Sequence, residues 1–97
     1  MALTYEDLEG RWLAVDSTCA SHVYLYGSDG YGDDLLVKYK ESGAVYVYYG
    51  AGKEIFALLR APSVGIFINK MVKGRYPAEP LRNPPPMQRS SGYDQRY

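Results

Sequence analysis

Apolar and polar positions along this chain recur with two different periods. Between residues 22 and 26 the period is two, with Val23 and Leu25 on one side and His22, Tyr24 and Tyr26 on the other, which predicts a half-buried strand. Residues 35–40 and 44–49 repeat that pattern around Glu41, Ser42 and Gly43, which predicts a hairpin with Gly43 at a positive-φ position. A three-residue loop sets Tyr39 opposite Val45, Val37 opposite Val47 and Leu35 opposite Tyr49. That register sends the valines to one face and Tyr46 and Tyr48 to the other, with Lys38 opposite Tyr46, Leu36 opposite Tyr48, and Lys40 beside them.

After Gly50 the period lengthens. Ile55, Leu58 and Leu59, with Phe56 adjacent, predict a helix over 52–61, and Pro62 ends it. Ser63 is a natural N-cap for a second helix, whose stripe Val64, Phe67, Ile68, Met71 and Val72 runs to Lys73 and Gly74. Two amphipathic helices need an apolar surface to cover, and the valine face of the hairpin offers one. The expected fold is therefore α+β, a small three-stranded antiparallel sheet with two helices packed on one face.

The flanks are less regular. Thr4, Glu6 and Asp7 suit a short N-terminal helix that Gly10 stops, and Trp12, Leu13 and Val15 form a short strand or a packed lead-in. From Pro77 the chain changes to a stretch with four further prolines and few large aliphatics, which predicts an extended polyproline-like arm. Three segments result: a lead-in over 1–14, a domain over 15–76 and an arm over 77–97.

Composition narrows the chemistry. Of 97 residues, eleven are tyrosine, so much of the apolar surface has a polar tip and belongs at boundaries. No apolar run is long enough to cross a bilayer and the start is acidic, so a cytoplasmic or assembly-bound protein with no membrane partner is expected. The single cysteine, Cys19, excludes an internal disulfide. Charge sums to zero but is segregated. Residues 1–34 hold seven acids against Arg11, residues 35–76 hold seven cations against Glu41 and Glu54, and residues 77–97 hold three arginines against two acids. An anionic partner, or mutual pairing of the two halves, follows from that segregation.

Catalytic and metal constellations do not form. Cys19 and His22 lie three apart on an extended strand and project to opposite faces, and no second histidine exists. The loop over 27–34 has glycines and Asp29, Asp33 and Asp34, but neither phosphate-loop nor EF-hand spacing. The expectation is a protein that is not an enzyme and holds no cofactor and no metal. What remains is the face bearing Tyr46, Tyr48, Lys38 and Lys40. Aromatic rings beside ammonium groups stack and neutralise single-stranded nucleic acid, and tyrosines also anchor protein interfaces.

Three stretches carry a family resemblance: Ser17-Thr18 before a strand, residues 43–48 with a central Tyr-x-Tyr, and Ala61-Pro62-Ser63-Val64-Gly65 followed by Gly74-Arg75-Tyr76-Pro77. In their order over 15–77 the chain resembles the KTSC domain, a short module found at the C-terminus of some lysyl-tRNA synthetases and as a stand-alone protein. Ala51-Gly52 stands where the family has Val-Pro, Ala20 where a larger aliphatic is usual, and the 27–34 loop is expanded. The resemblance implies RNA binding through Tyr46 and Tyr48, flanked by Arg75 and Tyr76. The leading expectation is a non-catalytic interaction or structural module in a multiprotein assembly such as a phage virion, docking through its tyrosine face while other subunits hold the 77–97 arm. RNA or single-stranded nucleic-acid binding is the alternative.

Overall fold

Five antiparallel strands form one sheet in the order β1-β2-β3-β4-β5, so each strand lies beside its neighbour in sequence. The computed structural model describes residues 5–8, 10–26 and 34–87. A one-turn helix α1 (Tyr5–Leu8) leads into β1 (Trp12–Ala14), β2 (Ala20–Tyr26), β3 (Asp34–Tyr39) and β4 (Val45–Tyr48). A 3₁₀ turn (Ala51–Glu54) then opens α2 (Ile55–Arg60), followed by α3 (Val64–Phe67), a π turn (Ile68–Val72) and β5 (Ala78–Pro80). The α+β class and the two-helix layer are as expected, but the sheet has five strands rather than three. The expected Thr4 cap and all but the last residue of the 27–34 loop lie outside the described residues.

The helices form where their stripes predict. Ser63 Oγ accepts a hydrogen bond from the Ile66 N–H at 3.3 Å, the N-cap role assigned to it. The last turn widens, with Lys73 N–H donating to the Ile68 carbonyl at 2.8 Å. Val64, Ile68 and Val72 with Ile55 and Leu58 bury against Val23, Leu25, Leu35, Val37 and Tyr48 of the sheet. Gly50, at φ 83, lets the chain leave β4 directly into the 3₁₀ turn.

The hairpin departs from its expected register. Tyr39 N–H donates to the Ala44 carbonyl and Gly43 N–H to the Tyr39 carbonyl, both at 2.9 Å, which closes a loop of four residues, Lys40 to Gly43. Ser42 Oγ accepts from the Ala44 N–H at 3.1 Å and fixes that loop. The paired residues are Leu35 with Tyr48, Leu36 with Val47, Val37 with Tyr46 and Lys38 with Val45. A slip of one residue exchanges the two faces of β4. Tyr46 and Tyr48 therefore point toward the helices, and Val45 and Val47 point away.

Both faces of the sheet are covered. Away from the helices, Leu36, Val45 and Val47 form a second apolar cluster against which Trp12, Tyr24 and Leu81 pack. The arm supplies this cover. Tyr49 N–H donates to the Pro77 carbonyl and Leu81 N–H to the Val45 carbonyl, each at 2.8 Å, which ties β5 to β4. Pro80, one residue short of Leu81, falls where its missing N–H would face away from β4, the position an edge strand tolerates. Beyond β5 the chain reaches across to β1, at the opposite edge, where Trp12 Nε1–H donates to the Pro85 carbonyl at 3.0 Å. The described part of the arm, to Met87, is thus a strap laid on its own sheet rather than a free polyproline extension.

Candidate functional site

The residues expected to form one aromatic and basic face are divided between the two sides of the sheet. Tyr48 is 3% exposed in the helix-side core, and Tyr46 is half-buried against that core. Lys38 lies on the other side, where β3 pairs it with His22 of β2. Lys40 is exposed in the hairpin loop. Arg75 is exposed after the π turn, while the Tyr76 ring sits 3.7 Å from where a Cβ on Gly50 would lie and its hydroxyl donates to Glu54 at 2.5 Å. The expected docking face of Tyr46, Tyr48, Lys38 and Lys40 does not exist. The Tyr-x-Tyr instead builds a hydroxyl cluster under the helices.

In that cluster the Tyr39 and Tyr48 hydroxyls hydrogen-bond at 2.5 Å, and the Tyr46 ring meets Tyr39 edge-on at 5.9 Å between centroids. Lys73 Nζ lies 5.3 Å from the centre of the Tyr39 ring. Burial pushes the Tyr39 hydroxyl far above its ordinary range and the bond to Tyr48 adds to this; burial also raises Tyr48. Ser17 and Cys19 stand close by: Ser17 Oγ accepts from the Cys19 N–H at 3.1 Å and the Ala20 N–H at 3.3 Å. The tyrosine bond ties β3 to β4, the Ser17 oxygen holds the turn into β2, and Lys73 reaches the cluster from the end of the π turn.

The outer side of the sheet is aromatic too. Trp12 meets Tyr24 at 5.1 Å and His22 at 6.3 Å between ring centroids. Burial lowers the His22 pKa and the Lys38 charge lowers it further, which favours the neutral imidazole, and Nδ1 lies 2.9 Å from Ser21 Oγ. The alternation of β2 had placed His22, Tyr24 and Tyr26 on one face. The strap over Leu36, Val45 and Val47 on that side was not foreseen, although Leu81 is a large aliphatic in a segment otherwise poor in them.

A third surface lies on the helix layer. A shallow groove lined by Pro62, Ile66, Phe67, Lys70 and Met71 runs along α3 and its π turn, and Ile66 is 58% exposed. From Ile55 to Tyr76 the chain carries Arg60, Lys70, Lys73 and Arg75 and no acid, and all four cations are exposed. The stripe Val64, Phe67, Ile68, Met71 and Val72 identified the buried side of this helix, but Ile66 falls off that stripe. Among the described residues no three His, Cys, Asp or Glu side chains gather as a metal site requires, and no helix is long and apolar enough to cross a membrane.

Comparison with known proteins agrees with this architecture. A KTSC domain protein from Yersinia pestis, known from its crystal structure, superposes with a TM-score of 0.56 at 22% identity, over 74% of this chain and 97% of its own. No curated protein matches the chain. Residues 23–76, from the second strand to the residue before Pro77, match the family model of the KTSC domain, and the chain belongs to that family.

Proposed function

We infer that this chain is a non-catalytic interaction module that docks an acidic, apolar-anchored segment of a partner subunit on its helix layer. One observation carries the reading: an exposed apolar groove around Ile66 lies on a stretch, Ile55 to Tyr76, whose charges are all positive. Apolar side chains give such a contact its affinity, while a rim of one sign selects the partner and speeds encounter. A multiprotein assembly, of which a phage virion is one kind, is the setting we assign it. Single-stranded nucleic acid is the competing occupant of the same cations. It draws less support once the Tyr48 ring is buried, because base stacking needs open rings.

Affinity capture with the full chain, before and after nuclease treatment, separates the two. A protein retained after nuclease, lost with Ile66→Asp and weakened by Lys70→Glu, is the expected result. Retention that disappears with nuclease assigns the layer to nucleic acid, and retention indifferent to Ile66→Asp overturns the docking groove.

A further inference from the structure

We propose that the outer face of the sheet is a binding site for an extended leucine- and proline-containing segment, one that holds the chain's own strap and takes the strap of a second copy by exchange. Two contacts define the ligand. Leu81 packs on the apolar cluster of Leu36, Val45 and Val47, and four residues later the Pro85 carbonyl accepts from the Trp12 indole N–H at 3.0 Å. An indole donor beside a tyrosine ring, meeting a carbonyl within a proline run, is the chemistry by which aromatic grooves read polyproline segments. Leu36 is wholly buried and Val45 and Val47 nearly so beneath Leu81, Trp12 and Tyr24, so lifting the strap leaves an apolar patch that a like segment can cover. The site lies on the opposite side of the sheet from the Ile66 groove and stands apart from the reading given to that groove.

The strap also has the layout of a detachable ligand. The KTSC match ends at Tyr76, two residues before β5 begins at Ala78, so the domain closes before the strap starts. Gly74, at φ 79, and Pro77 flank the junction, and β5 is exposed at all three positions. A foreign peptide entering the site displaces the strap and leaves it unpaired. Reciprocal exchange between two copies loses no contact, because each groove regains an identical strap and only the local concentration of the chain's own strap opposes it. A second copy is therefore the favoured occupant.

Two measurements on the full chain test this. The first follows the anisotropy of a labelled peptide of residues 77–87. It should bind the unmodified chain weakly and the Leu81→Ala chain about tenfold more tightly, because the competing strap is weakened. Trp12→Phe in the Leu81→Ala chain should reduce binding several-fold, as should Leu81→Ala within the peptide, a change that cannot disturb the protein's folding. Affinity identical for the unmodified and Leu81→Ala chains, or no binding to a folded Leu81→Ala chain, overturns the site. The second places cysteines at the paired positions 49 and 77 (Tyr49→Cys, Pro77→Cys, with Cys19→Ser). On oxidation, strap exchange yields a covalent dimer whose share rises with protein concentration, whereas a strap kept at home yields only a covalent monomer. Monomer at every concentration overturns exchange, and with peptide binding intact assigns the groove to a foreign proline-rich segment.

Discussion

At the scale of single residues, the Tyr39 and Tyr48 hydroxyls tie β3 to β4 beneath the helix layer. Both are held above the ordinary tyrosine pKa of 10.0, mainly by burial. The folded state therefore keeps protons that the unfolded chain releases above about pH 10, so this contribution is fully present below that pH and is lost as pH rises toward the raised values. Urea unfolding midpoints measured up the alkaline range should fall steeply for the unmodified chain and more gently for Tyr39→Phe/Tyr48→Phe. Equal slopes would show that the pair does not set alkaline stability. At neutral pH, Tyr48→Phe alone should cost about 1 kcal/mol, the net worth of one buried hydrogen bond. Of these two rings, Tyr39 is expected on the valine face and only Tyr48, with Tyr46, on the outer one, because Val-Tyr-Val-Tyr reads equally well with either face buried and no charged residue in β4 breaks the tie.

At the scale of elements, the seating of α3 on the sheet rests on a close backbone approach at Gly65. A Cβ on Gly65 would lie 3.1 Å from Ser17 Oγ and 3.3 Å from Cys19 Sγ. Ser17 cannot retreat, because its oxygen holds the N–H groups of Cys19 and Ala20. Gly65→Ala should therefore destabilise the chain by about 1–3 kcal/mol, despite alanine's better helix propensity. Chemical denaturation checks this, and a neutral or stabilised variant would mean that α3 shifts freely. Existence and order of β2, β3, β4 and the helices were legible from periodicity, as was the Ser63 cap. The register was not, because it turned on whether the loop begins at Lys40 or Glu41, and Gly43 serves either. β5 was hidden by its prolines, which bar a central strand but not an edge one, where Pro80 turns its missing donor outward.

At the scale of the whole molecule, the sheet is sealed on one side by helices and on the other by a strap of very different tenacity. The helix side is a continuous core, whereas the strap rests on Leu81, the Trp12 bond and exposed β5. Openings of low cost are drawn from such thinly packed segments. Native-state hydrogen exchange should find the Leu81 amide, bonded to the Val45 carbonyl, opening at a lower free energy than the amides of Val23 and Val37 in the central strands. Exchange of Leu81 only by global unfolding would make the strap part of the core. The charge segregation visible in sequence finds its place here as well, since the helix layer from Ile55 to Tyr76 is purely cationic. Its apolar groove was less visible, because Ile66 lies off the buried stripe.

The bond between Trp12 and Pro85 joins residues 73 positions apart, one before the matched KTSC residues and one after them. With the strap lifted, Leu36, Val45 and Val47 meet water while the helix side of the sheet stays closed.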